Sequence, residues 1–140
     1  MTFKRFFGMA ALAALLPMAA AAKPITMQCL VKGSNGGWIA EQIFFDYDSA
    51  RNASRVVDGI ILHFDKKPKA AEITENTDKK LVIRWRVNTR VGRQTTKMSY
   101  RLAYFKGNGK ATVQAHPHGF VNNYTARGRC QQIQQGLPTG

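Results

Sequence analysis

The stretch KLVIRWRVN, residues 80–88, decides the fold class of this protein. Leu81, Ile83, Trp85 and Val87 occupy every second position, and most of the positions between them are polar. Successive side chains of a β-strand point to opposite faces, whereas those of a helix repeat about every 3.6 residues. A period of two therefore predicts a strand that buries one face and exposes the other.

The stretch of residues 97–104 repeats this alternation. The connection Arg90-Val91-Gly92-Arg93 is short and contains glycine, which predicts that the two stretches form an antiparallel hairpin. With the turn centred near Val91 and Gly92, Arg86 is expected roughly opposite Lys97.

Short strands bounded by turn residues account for the rest of the chain up to about residue 132. They are expected at about residues 25–31, 38–46, 56–64, 70–75, 110–115 and 120–132. Within residues 56–64, Val56, Ile60, Leu62 and Phe64 are expected to share one face. Eight strands without a helix or a repeat predict an all-β fold, an antiparallel up-and-down barrel of about eight strands. A two-sheet β-sandwich is the alternative.

Turn residues are expected to end several of these strands. Gly107-Asn108-Gly109 predicts a tight turn, because Asn-Gly suits the positive φ angles of hairpin turns. His116-Pro117-His118-Gly119 is expected to break the next strand, because proline cannot donate a ladder hydrogen bond. Residues 134–140 are polar and glycine-containing and are expected to fray.

Residues 1–22 are expected to be a cleavable secretory signal peptide. A basic start with Lys4 and Arg5 precedes an apolar run and small residues that end in an A-x-A cleavage pattern at Ala22. The run is rich in alanine, is interrupted by Pro17, and falls short of the roughly 20 strongly apolar residues of a membrane-spanning helix. The mature protein would be a single secreted β-domain, residues 23–140, in the periplasm or outside the cell.

Cys29 and Cys130 are the two cysteines of the chain. An even number of cysteines in an exported protein predicts a disulfide bond. Neither cysteine lies in a C-x-x-C motif or close to a histidine, so a redox pair or a metal site is the weaker interpretation. The bond would bring the first and last strands together, as a closed up-and-down barrel requires.

Charge is distributed unevenly along the chain. The sequence holds 21 Lys and Arg and 8 Asp and Glu, a net charge of +13, and removal of the signal leaves +11. Every acid precedes residue 79, whereas the stretch from Lys79 to Gly140 has twelve Lys or Arg and no acid. Such asymmetry indicates an anionic partner or surface.

The polar positions of the predicted hairpin carry much of this charge. Arg84 is expected near Ser99 and Arg101, and like charges that face one another across strands repel, so folding alone does not explain them. The candidate anion-binding residues are Lys80, Arg84, Arg86, Arg90, Arg93, Lys97 and Arg101. The expected partner is an anionic lipid or polysaccharide surface, and a solvated basic exterior is the alternative. Because the aromatic residues of the hairpin should point inward, nucleic acid is disfavoured as a partner.

No catalytic residue, metal or cofactor is predicted. His116 and His118 flank a proline in a turn, and no acid lies near them in the sequence. The motifs G-x-S-x-G and H-E-x-x-H are absent, so enzymatic activity is not expected. Large inward residues such as Phe45 and Trp85 favour a filled core over a ligand cavity.

Three features of the sequence are shared with a class of known proteins: an alanine-rich signal, the early Cys29 and the C-terminal Gly128-Arg129-Cys130. With these features the chain resembles small periplasmic β-barrel proteins of proteobacteria. Its architecture also resembles that of the periplasmic inhibitors of C-type lysozyme, small barrels with a disulfide. That family carries a Ser-Gly-x-x-Tyr loop, and the nearest match, Ser99-Tyr100, lacks the glycine. A chain of charge +11 would also repel a basic lysozyme, so the inhibitor function is not carried over.

Two functions follow as hypotheses. The first is a non-enzymatic exported binding protein whose basic face associates with anionic components of the cell envelope. The alternative is a small ligand-binding or inhibitor-type barrel in which the basic surface is incidental. A basic surface that is functional should bind anions in a salt-dependent way, whereas a ligand-binding barrel requires a cavity.

Overall fold

A computed structural model describes residues 17, 23–33 and 36–140. The predicted signal peptide, residues 1–22, lies outside this range apart from Pro17. The elements are β1 (Ile25–Lys32), β2 (Gln42–Asp48), β3 (Ala53–Asp58), α1 (Gly59–Asp65), β4 (Lys69–Asn76), β5 (Lys80–Val91), β6 (Gln94–Phe105), β7 (Lys110–Pro117) and β8 (Tyr124–Ile133). Each strand pairs antiparallel with the next, and β8 pairs with β1. The predicted eight-stranded up-and-down barrel is therefore confirmed.

The inward positions of the strands fill the barrel with apolar side chains. Phe45, Ile43, Ile83, Leu102 and Val113 are among the residues that are almost completely shielded from solvent. They belong to one hydrophobic cluster with contributions from all eight strands except β4, whose Ala71 and Ile73 pack against it while partly buried. Alternation along each strand thus places apolar residues inside and polar residues outside.

The hairpin of β5 and β6 is longer than the sequence pattern predicted. Val91 pairs with Gln94, so Gly92 and Arg93 form the turn, and Gly92 has a φ of 61°. The predicted turn centre was one residue too early, which displaces every partner by two residues. Arg86 therefore lies opposite Ser99, and its predicted position opposite Lys97 is wrong.

Residues 59–65 form the helix α1, so the predicted strand through residues 56–64 is wrong beyond Asp58. Asp58 caps this helix, because its side chain accepts a hydrogen bond from the Ile61 amide at 2.8 Å. Lys66 ends it in the left-handed conformation, with a φ of 65°. The aspartate followed by glycine was a cap signal that the apparent period of two obscured.

Several strand ends also differ from the prediction, among them that of β3, which begins at Ala53 rather than near Val56. Trp38 lies in the connection before β2, β7 continues through Pro117, and β8 begins at Tyr124 rather than near Phe120. In the C-terminal segment, Leu137 and Pro138 are half-buried, and the backbone of Gly140 lies against Leu62 of α1. The remaining residues of this segment are exposed, and the fraying of residues 134–140 stays a prediction.

The seam of the barrel carries the disulfide. Cys29 of β1 and Cys130 of β8 are direct cross-strand partners, and their sulfur atoms are bonded at 1.97 Å. Both side chains belong to the hydrophobic cluster. The predicted bond between the first and last strands is confirmed.

Candidate anion-binding site

The outer face of the β5–β6 hairpin holds the residues that were proposed to bind anions. Their neighbours in sequence, such as Ile83, Val87 and Leu102, are buried in the barrel, so the alternate positions point away from it. The outward positions on β5 are Lys80, Arg84, Arg86 and Arg90, and those on β6 are Lys97 and Arg101. Arg93 lies in the turn between the strands.

A groove of about 820 Å³ runs over the outer face of β4 to β7. It brings together three of the seven candidates, Arg84, Arg86 and Arg101, and we call these the groove arginines. The rest of the wall is mixed: it includes the polar residues Ser99 and Gln114, the acid Glu72, and apolar residues such as Ala70 and Ala71. The remaining four candidates lie along the hairpin outside this groove.

Two of those four cations have local partners. Lys80 forms an ion pair with Glu75 at 3.2 Å. Arg90 donates from its Nε to the carbonyl oxygen of Gly92 at 3.2 Å. The structure therefore divides the seven candidate residues into a central group in the groove and a set toward the two ends of the hairpin.

Two of the groove arginines face each other across the hairpin. Arg84 is the direct cross-strand partner of Arg101, one of the two residues near which it was expected, and Glu72 of β4 is the partner of Arg84 on its other side. Within the described part of the chain, the ion pairs are Asp48–Arg51, Asp46–Arg55, Asp65–Lys69 and Glu75–Lys80. None of these pairs includes a groove arginine. Opposed guanidinium groups destabilise a strand pair unless an anion lies between them.

Packing inside the barrel holds the groove arginines on the outer face. Trp85 and Tyr100 are cross-strand partners whose rings stack 5.2 Å apart, and both are buried. The Tyr100 hydroxyl donates to the carbonyl oxygen of Trp38 at 3.0 Å. Burial, with a smaller contribution from the charge of Asp58, raises the pKa of Tyr100, so the phenol keeps the proton that it donates. A strand whose alternate residues are anchored in this way cannot turn its arginines inward.

A second basic region, not proposed from the sequence, lies on β7, β8 and β1. Arg127 pairs across the strands with Lys32, and Arg129 pairs with Lys110. Lys69, which contributes to the groove from β4, was also missed. The acid-free stretch after Asp78 was the available signal for Arg127 and Arg129. Their proximity to Lys32 follows only from closure of the barrel.

Two of the three histidines, His116 and His118, lie beside the groove and form hydrogen bonds. His116, which contributes to the groove wall, contacts the Oδ1 of Asn123 through its Nδ1 at 2.8 Å. His118 contacts the hydroxyl of Ser99 through its Nε2. His63 lies on α1. Across residues 23–33 and 36–140, no group of three or more His, Cys, Asp or Glu side chains is arranged to hold a metal ion.

Comparison with protein-family models, curated proteins and solved structures finds no match to this chain. In the part of the chain that the structure describes, no helix has the length and apolar character needed to cross a bilayer.

Proposed function

We propose that this protein is a non-enzymatic exported binding protein whose basic outer face associates with anionic components of the cell envelope. The observation that carries the proposal is the convergence of Arg84, Arg86 and Arg101 in one groove without an ion-pair partner among the described residues. The shared chemistry of its ligands is a phosphate or carboxylate group. We assign the source to the headgroup phosphates of anionic lipids.

The chemistry of the groove suits oxyanions. A guanidinium group binds phosphate or carboxylate through two parallel hydrogen bonds and stays protonated at physiological pH. Arg84 and Arg101 project from paired positions on adjacent strands, whose backbones lie about 5 Å apart. One oxyanion can therefore contact both side chains and relieve their mutual repulsion.

The distribution of charge on the molecule supports the same proposal. The acids Asp46, Asp48, Asp65 and Glu75 are engaged with neighbouring cations. The outer face from β5 through β8 to β1 carries further Lys and Arg residues on its exposed positions. A broad positive field of this kind attracts the protein to a surface of dense negative charge, and salt screens the attraction.

The alternative function, a ligand-binding barrel, requires space inside the barrel. The inward residues of the strands are packed as one cluster that includes the large side chains Phe45, Trp85 and Tyr100. This filled interior favours surface binding over ligand enclosure.

Vesicle sedimentation tests the proposal. The wild-type protein should bind phosphatidylglycerol-containing vesicles at low ionic strength and should dissociate from them at about 0.5 M NaCl. It should not bind vesicles of phosphatidylcholine alone. The triple variant R84Q/R86Q/R101Q should bind at least about tenfold more weakly, since each basic residue near an anionic bilayer contributes about 1 kcal/mol.

The matched control is R51Q/K79Q/K106Q, which removes the same number of charges from the β2–β3, β4–β5 and β6–β7 turns, outside the groove. It should retain most of the affinity. Equal weakening by both triples would show an effect of net charge alone and would overturn the assignment to the groove. A soluble acidic polysaccharide that binds through the groove arginines, without binding to vesicles, would overturn the assignment to lipid.

A further inference from the structure

One end of the barrel exposes apolar side chains on two separate connections. In an up-and-down barrel, the β1–β2, β3–β4, β5–β6 and β7–β8 connections share one end, which also carries α1. We call it the α1 end. Val91, at the tip of the β5–β6 hairpin, is 66% exposed, and Phe120 and Val121 of the β7–β8 connection are 48% and 95% exposed. These three residues form the apolar rim.

The two parts of the apolar rim are close together in space. Val91 and Phe120 line the same cleft, which has a volume of about 300 Å³. Trp38, Met98 and Tyr124 form more of its wall. The apolar rim is therefore a continuous feature of the α1 end and not a scatter of isolated side chains.

Cations flank the apolar rim. Arg90 and Arg93 lie beside Val91 at the hairpin tip, and no acid occurs in the sequence after Asp78. The acids at the α1 end belong to other parts of it. Asp58 caps α1, Asp65 is paired with Lys69, and Glu41 lies in the β1–β2 connection.

We propose that the apolar rim inserts into the interface of an anionic bilayer, with Arg90 and Arg93 at the level of the headgroup phosphates. Apolar side chains at loop tips, surrounded by basic residues and without acids on the same two connections, fit the interface between acyl chains and anionic headgroups. Trp38 adds a partly buried indole at the same end, and indoles favour this interface. The inference rests on the proposed function for the charge of its partner, and it adds the part of the molecule that enters the lipid.

Insertion of the apolar rim leaves Arg86 as the groove arginine closest to the headgroups, because Arg84 lies seven residues from Val91, about 23 Å along β5. Arg86 lies five residues from Val91 along β5, which corresponds to about 16 Å along a strand and to less along the axis of a tilted barrel. With Val91 below the phosphates, Arg86 would lie within about one Debye length of them.

Two measurements on vesicles containing phosphatidylglycerol test the inference. Lipids brominated on their acyl chains should quench the fluorescence of Trp38 in the bound protein, and the W38F variant should lose this quenching because Trp85 is buried in the barrel. The variant F120S/V121S should lose the Trp38 quenching. It should also bind at least about fivefold more weakly, because less apolar area leaves water on binding.

The matched control is L30S/F105S, which replaces two exposed apolar residues, one aromatic and one aliphatic, outside the apolar rim. It should keep both the affinity and the quenching. Binding of the wild-type protein without quenching of Trp38, or equal weakening by both double variants, would overturn the inference. Circular dichroism and the midpoint of thermal unfolding should be unchanged in F120S/V121S, because both residues lie outside the strands.

The groove variants separate this inference from the proposed function. If R84Q/R86Q/R101Q abolishes binding while F120S/V121S binds and is quenched like the wild type, the apolar rim plays no part and only the inference fails. If F120S/V121S loses binding and quenching while the arginine triple keeps both, the groove assignment fails and the insertion of the apolar rim stands.

Discussion

Gly128 lies at the place where the barrel closes. It is the cross-strand partner of Val31 on β1, and a Cβ atom built on it would lie 1.8 Å from the carbonyl oxygen of Leu30. The two backbones approach too closely for any side chain between them. The Gly128-Arg129-Cys130 segment thus has a physical basis, since both its glycine and its cysteine lie on the seam between β8 and β1.

Replacement of Gly128 by alanine should destabilise the protein. Because the clash is with backbone and not with a flexible side chain, G128A is expected to lower the free energy of unfolding by about 3 kcal/mol. Urea unfolding followed by circular dichroism measures this change. G136A is the control, because a Cβ atom at Gly136 meets nothing within 4 Å. A G128A protein as stable as G136A would contradict the close approach of the strands.

Single residues of the candidate site were predictable to different degrees. The outward direction of Arg84, Arg86 and Arg101 followed from the alternation of β5 and β6 alone. The partner of Arg86 did not, because a turn centre misplaced by one residue displaces the register by two. Lys69 was not predictable as a groove residue, since nothing in the sequence shows how closely β4 approaches the long hairpin.

At the scale of the element, α1 shows how a local cap overrides an apparent period. Val56, Ile60, Leu62 and Phe64 suggest alternation, yet Ile61 is the fully buried residue of the helix. Asp58 accepts the Ile61 amide hydrogen and starts the helix, and the left-handed Lys66 stops it. If β3 continued as a strand, the buried carboxyl group of Asp58 would lose the hydrogen bond from the Ile61 amide.

Burial gives the Asp58 cap a dependence on pH. Desolvation raises the pKa of Asp58 above 3.8, and hydrogen bonds from the amides of Ile61 and Ile60 offset the shift only in part. The folded protein therefore holds this proton more tightly than the unfolded chain. Its contribution to stability is largest when the carboxyl group is protonated, and it falls as pH rises from the unfolded pKa through the folded one.

The variant D58N keeps an acceptor oxygen and does not ionise. Relative to that of the wild type, its free energy of unfolding should therefore increase as pH rises from about 4 to about 7. D58A lacks the acceptor and should lose about 1 kcal/mol with the cap. Urea titrations at the two pH values measure both effects. If the free energy of unfolding of the wild type instead increased relative to that of D58N as pH rises, folding would stabilise the carboxylate, and the prediction would be contradicted.

At the scale of the whole molecule, the disulfide closes a loop that includes almost the whole barrel. Cys29 and Cys130 are separated by 101 residues and lie on neighbouring strands of the seam. The first and last strands must pair for the barrel to close, and this closes a long loop at a cost in chain entropy. A covalent bond between them lowers the entropy of the unfolded chain and so reduces that cost.

Reduction of this bond should lower the free energy of unfolding by about 4 to 5 kcal/mol in the chain-entropy model. Urea unfolding with and without a phosphine reductant measures the difference. In the variant C29A/C130A the reductant should have no effect, which controls for its action elsewhere. Two titratable thiols in the oxidised native protein, or a loss below about 1 kcal/mol, would contradict a bond that stabilises the seam.

The sequence by itself determined the class of fold, the pairing of the cysteines and the outward direction of the hairpin cations. These properties depend on alternation and on the number and kind of residues, which are local or countable. Only the tertiary structure decided the concave groove, the second basic region and the joining of Val91 with Phe120 in one apolar rim. These depend on the closure of eight strands and on a register that a turn misplaced by one residue shifts by two, so that residues far apart in sequence become neighbours.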